Sequence, residues 1–203
     1  MNIITLLVNI GLLLIAMTVH EFAHGYVAYM RGDSTAKLSG RLTLNPLAHL
    51  DILWSVILPV LFYISTGFFI AAAKPVPINY WALRDPKRDI VWIGASGPLA
   101  NLLLAFVLSL VTHFLPRELF LTGLINQLIY INAMLGIFNL IPIPPLDGSR
   151  IVMGLLPDDL ANRYAQLERY GFIIIMALFM TRILDIILWP AIRNFLYLLR
   201  VPF

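Results

Sequence analysis

The chain has 203 residues, of which 60% are hydrophobic and only 12% charged, and its mean hydropathy is +0.86. Such a composition excludes a soluble domain and indicates an integral membrane protein with no room for a separate soluble unit. The net charge of +3, with no basic run and no aromatic-basic alternation, excludes a nucleic-acid surface, and the lack of cysteine excludes disulfides and limits any metal site to nitrogen and oxygen ligands.

The first apolar stretch, Ile3 to Met30, predicts a membrane helix; it has no basic region before it and is read as a retained span, not a cleaved signal. It contains His20-Glu21-Phe22-Ala23-His24. Residues four apart on a helix lie one above the other, so both imidazoles can reach one ion, while Glu21 stands on a neighbouring edge within reach of ion-bound water. This is the H-E-x-x-H arrangement of zinc hydrolases. Taken alone, the same three groups also fit a proton relay or a satisfied interhelical network. At 1.5 Å per residue His24 lies about 10 Å of helix before Arg31, so Arg31, Lys37 and Arg41 place the site nearer the cytoplasmic face by the positive-inside rule.

Thr35 to Leu44 alternates around Ser39-Gly40 and predicts a short β-hairpin. Asp51 to Ala73 is long enough to cross, but Pro59 and the Gly67 region interrupt it, and Lys74, Arg84, Lys87 and Arg88 follow. Charge parity therefore favours a re-entrant segment over a fifth span. In Ala73 to Asn79, Pro75 and Pro77 remove amide donors from one edge of an extended strand, which suggests either a platform for an added peptide strand or a rigid polyproline-like loop.

Ile90 to His113 reads as the next span, with Gly97-Pro98-Leu99-Ala100-Asn101 near its start; small residues let helices approach, and Asn101 is a polar group in an apolar helix. His113 falls at the outer interface and reads as a solvated histidine. Leu119 to Ile141 returns inward into Asn139-Leu140-Ile141-Pro142-Ile143-Pro144-Pro145-Leu146-Asp147-Gly148, where three prolines stop the helix and Asp147 arrives on the side that holds His24. A short helix over Ser149 to Leu156, a loop over Pro157 to Gln166, a final outward span over Leu167 to Trp189 and an interfacial tail over Pro190 to Phe203 complete the expectation. The fold predicted is an all-α polytopic membrane protein of about four full transmembrane helices plus the re-entrant or fifth segment, with a short β element near the active site.

Catalytic zinc takes three protein ligands and leaves a fourth position to water, and His20, His24 and Asp147 supply such a set. Glu21 is then the general acid/base, and Asn101 or Asn139 a candidate donor to a developing oxyanion. Ser96 and Ser149 have no base partner in the sequence pattern. His49 and Asp51 read as turn residues, with substrate entry or a second ion as the alternative.

His20 to His24, Gly97 to Asn101 and Asn139 to Gly148, in that order on three spans, resemble the site-2 protease family, intramembrane zinc metalloproteases of peptidase family M50. The resemblance covers most of residues 3–156 and implies one zinc ion on His20, His24 and Asp147, Glu21 as catalytic acid/base, and Asn139 assisting near the metal; for Asn101 the implied role is weaker. It implies a single domain over 1–203, in its minimal form without an appended PDZ or nucleotide-sensing domain, in a prokaryotic cell membrane. The implied partners are the lipid bilayer, single-pass membrane substrates such as membrane-tethered transcription regulators, and an external adaptor. Many relatives have a second glycine where Ser149 stands. An inactive homologue, or a metal-binding scaffold or transporter, is the competing reading.

Overall fold

The computed structural model describes residues 3–50 and 74–201. The expected re-entrant segment 51–73 lies outside them, as does Asp51. Among the described residues the protein is helical, with no strand. Among the described residues three helices are long and apolar enough to cross a membrane: α1 (Ile3–Met30), α3 (Pro86–Thr112) and α4 (Phe120–Asn139). The chain is thus a multi-pass membrane protein.

The middle span, α3, is sorted largely inside out relative to a soluble helix. On α3 the buried positions are Asp89, Ile93, Gly94, Gly97, Pro98, Asn101, Ala105 and Ser109, small or polar except for Ile93, whereas Leu99, Leu103, Phe106 and Leu110 form an exposed stripe at helical spacing. Lipid is as apolar as leucine, so nothing drives that stripe inward; small residues and buried polar contacts hold the helices together instead. Accordingly α3 packs against both α1 and α4.

Helix ends explain the first departure from expectation. Gly32 (φ 112°) ends α1, with Gly32 N–H on Tyr29 O and Asp33 N–H on Ala28 O. Asp33 then starts a new helical turn: its carboxylate accepts from Thr35 N–H and the Thr35 hydroxyl. The stretch read as a hairpin therefore opens as α2 (Thr35–Leu38). Gly40 (φ 67°) closes it in the same way as Gly32 closes α1, with Gly40 N–H on Lys37 O and Arg41 N–H on Ala36 O. Ser39-Gly40 is a true turn signal, but it marks a helix C-terminus rather than a strand reversal.

The segment after residue 73 is extended and its amides face inward. Lys74 N–H donates to His49 O (3.1 Å), Val76 N–H to Glu21 Oε2 (2.8 Å) and Asn79 N–H to the buried Asp33 carboxylate (2.7 Å). Val76 packs over Gly25 of α1. The donor-bearing edge left by Pro75 and Pro77 is thus used within the protein at Lys74 and Val76 and does not await an added strand. His49 is buried with its Nε2 on Thr43 O, the turn-stabilising role.

α3 begins at Pro86, with Asp85 as its cap accepting from Arg88 N–H. Arg84 N–H bonds Arg31 O, and Arg31 pairs with the buried Asp89 at 3.3 Å. These contacts bring the end of α1 and the start of α3 together, so Arg31, Lys74, Arg84, Lys87 and Arg88 share one end of the bundle.

The C-terminal third departs most. The expected loop over Pro157 to Gln166 is helix α6 (Asp158–Ala165), which follows α5 (Asp147–Leu155) and leads into α7 (Gly171–Met180). The expected final span is not straight: Arg182 adopts a left-handed conformation (φ 58°), and α8 (Ile183–Leu198) leaves at 80° to the preceding helix. The expected interfacial tail is largely part of α8, whose Leu184, Leu188, Ile192 and Leu196 are buried with Ala105, Ile129 and Ala133 of α3 and α4. Spacing by four puts these residues on one helix face, and that face supplies core rather than a membrane-surface anchor.

Candidate metal centre

α1 sets two imidazoles in register, α3 lends them room and anchors, and the turn after α4 delivers a carboxylate. His20 and His24 are both buried, their rings edge to face with centroids 4.6 Å apart. His20 Nδ1 lies 2.6 Å from Asn101 Oδ1, and His24 Nδ1 lies 2.7 Å from Ile93 O. Both acceptors are oxygens, so each ring carries its proton on Nδ1 and turns a lone pair outward from Nε2.

Those lone pairs converge. The two Nε2 atoms are 3.0 Å apart; Asp147 Oδ2 is 2.9 Å from His20 Nε2, and Asp147 Oδ1 is 3.3 Å from His24 Nε2. An anion and two lone pairs this close need a positive charge among them. In a tetrahedral zinc site with bonds of 2.0–2.1 Å, neighbouring ligand atoms are about 3.3 Å apart. The observed edges fit within a few tenths of an ångström, and this is the group of three among the described residues that could hold a metal ion.

Close backbone contacts force Asp147 into place. A Cβ on Gly148 would run into the carbonyls of Leu140 and Ile141, so only glycine lets the chain fold back tightly after α4. Gly94 lies against Arg150 and Asp147 O, and Gly154 against Val91 and Lys87 O, which seats α5 directly on α3. Asp147 then occupies the first turn of α5, where the helix dipole favours an anion. Ser149 is fully buried and donates its hydroxyl to Leu146 O at 2.6 Å.

Comparison with known proteins shows the family to which the chain belongs. The family model for "Peptidase family M50" matches residues 117–181. "Putative zinc metalloprotease YwhC" of Bacillus subtilis is 40% identical over 190 residues, covering 89% of this chain and 84% of that protein. The chain belongs to peptidase family M50. It is also 28% identical over 174 residues to "Putative zinc metalloprotease Rip2" of Mycobacterium tuberculosis, of which it spans 66%, and 32% identical over 121 residues to "Zinc metalloprotease MJ0392" of Methanocaldococcus jannaschii, of which it spans 36%. No solved structure matches the chain significantly. As an M50 member it is a zinc metalloprotease.

Against that identity the remaining candidates sort themselves. Glu21 faces the extended segment, its Oε2 taking the Val76 amide. Asn139 ends α4 and donates to Leu135 O in its own helix at 3.0 Å. Asn101 is not free to serve an oxyanion: its two amide hydrogens go to Ala16 O (2.9 Å) and Asn132 Oδ1 (2.8 Å). His113 donates to Ser109 O near the far end of α3. Two residues named in the sequence have places at the centre that the sequence did not show. Gly97 lies directly against the imidazole tips, where a Cβ would stand 2.7 Å from His20 Nε2 and closer still to His24 Nε2. Ser96 sits 3.3 Å from His24 Nδ1, but its hydroxyl donates to Ile93 O at 2.7 Å, so it buttresses the ring's anchor and is no nucleophile.

Proposed function

We propose that this M50 protease is an intramembrane metalloendopeptidase that hydrolyses a peptide bond in or near the transmembrane segment of single-pass membrane proteins. The observation that carries the reading is the convergence of His20, His24 and Asp147, from helices α1 and α5, on one point within the helical bundle. His20 Nε2, His24 Nε2 and the Asp147 carboxylate would hold a single zinc ion. When bound, zinc supplies a Lewis acid that acidifies water and polarises the scissile carbonyl.

The chain's own groups do the rest. Glu21 takes a proton from the attacking water and delivers it to the leaving amine, restoring its own carboxylate in one cycle. Its Oε2 accepts the Val76 amide at 2.8 Å, which anchors the carboxylate. Asn139, at the end of α4 eight residues before Asp147, assists near the metal. The basic end of the bundle, with Arg31, Lys74, Arg84, Lys87 and Arg88, faces the cytoplasm of a prokaryotic cell. Substrates are drawn from membrane-tethered regulators, and an external adaptor selects among them. Full-length chain in proteoliposomes with a reporter bearing one transmembrane helix tests the reading: wild type cleaves it and Glu21→Gln does not. Equal cleavage by both proteins would overturn the assignment of Glu21.

A further inference from the structure

Behind His20 runs a line of buried amides that the zinc ligands alone do not explain. Asn101 on α3 and Asn132 on α4 are both fully buried. Asn132 Nδ2 donates to Leu128 O at 2.8 Å, so Asn132 Oδ1 is the end of the amide turned toward Asn101. It accepts one hydrogen of Asn101 Nδ2 at 2.8 Å, and Ala16 O accepts the other at 2.9 Å. Asn101 therefore has only its oxygen to offer His20 Nδ1, at 2.6 Å.

Each step in this line removes a choice from the next. An asparagine amide can flip, and an imidazole can carry its proton on either nitrogen. Here the Leu128 carbonyl sets Asn132, Asn132 and Ala16 set Asn101, and Asn101 sets His20 with its proton on Nδ1 and its lone pair on Nε2. Partners of this kind on the far nitrogen of a metal-bound histidine fix tautomer and ring orientation.

We propose that Asn132 is a positioning residue for the metal centre, acting through Asn101 to hold His20 in its metal-ready tautomer. The proposal rests on the zinc-protease reading, and it joins α4, through Asn101 of α3, to the two helices that carry the ligands. An interhelical clamp alone would require hydrogen bonds at these positions but not this polarity.

The experiment uses the full chain in detergent, as wild type, Asn132→Leu and Asn132→Asp. Leucine has the size of asparagine and neither hydrogen-bonding end. Aspartate keeps an oxygen toward Asn101 and, when protonated, a donor toward Leu128 O. Zinc affinity by chelator competition is expected to fall about tenfold in Asn132→Leu and to be largely restored in Asn132→Asp. Nitrogen NMR of the imidazoles in metal-free protein reads the tautomer directly: His20 keeps its proton on Nδ1 in wild type and Asn132→Asp, and divides it between Nδ1 and Nε2 in Asn132→Leu. An unchanged tautomer and unchanged zinc affinity in folded Asn132→Leu would overturn the proposal. Loss in both variants alike, with the tautomer retained, would make Asn132 a packing residue only and would equally overturn it. Wild type that binds no zinc would instead overturn the reading beneath it.

Discussion

Replacing Gly97 by alanine places a methyl group at the point where the two imidazoles meet. The added carbon would lie 2.7 Å from both His20 Nε2 and His24 Cε1, and nearer to His24 Nε2. The rings cannot easily retreat, because His20 is bonded to Asn101 and His24 to the Ile93 carbonyl. Without metal they can swing apart at the loss of those bonds; with metal they are held together, so the clash falls mainly on the bound form. Overpacking of this order costs about 1–3 kcal/mol. At about 1.4 kcal/mol per factor of ten, zinc affinity falls roughly 5- to 150-fold. Chelator competition on purified Gly97→Ala measures it, with circular dichroism and thermal unfolding of the metal-free protein as the control for folding. A folded Gly97→Ala protein that binds zinc as tightly as wild type would refute this view of Gly97.

Other consequences are as specific. Glu21→Gln keeps an oxygen for the Val76 amide, so zinc content stays at one per chain while the cleavage rate drops about 10²- to 10⁴-fold; metal analysis beside a reporter assay checks both halves. Val76→Pro deletes that amide and leaves the Glu21 carboxylate unanchored, so cleavage falls at least about tenfold with zinc affinity unchanged; a parallel loss of zinc would show that the segment supports the ligands themselves. Arg31→Met strips the cation from a buried Asp89 carboxylate that is 2% exposed, and because the Arg31 side chain is itself 41% exposed the loss is about 1–3 kcal/mol, seen as a lower unfolding temperature in detergent.

What the sequence made legible follows from distance along the chain. His20, Glu21 and His24 lie within two turns of one helix, so spacing alone places both rings on one face. Asp147 is more than a hundred residues away, and only the motif around it, with the direction of the spans, pointed to the same end. The apolar runs of α1, α3 and α4 were plain because a bilayer demands them. The bend at Arg182 was hidden, since a left-handed helix end is usually announced by glycine and here carries arginine. The hairpin failed because Ser39-Gly40 was read without Asp33, whose carboxylate starts the helical turn that Gly40 ends. Asn132 belongs to no motif in the sequence; only its partners reveal its part. Gly97 was read as a place for helices to approach, whereas what approaches it is a pair of imidazole tips.

The central claim is that two histidines of α1 and the aspartate that opens α5 share one ion. Zinc K-edge X-ray absorption on the purified full chain tests it most directly, compared with Asp147→Ala. Wild type should show two imidazole nitrogens at about 2.0–2.1 Å with light oxygen scatterers beside them, and Asp147→Ala should lose an oxygen shell and most of its zinc. A wild-type spectrum without imidazole scattering, or one left unchanged by Asp147→Ala, would contradict the account.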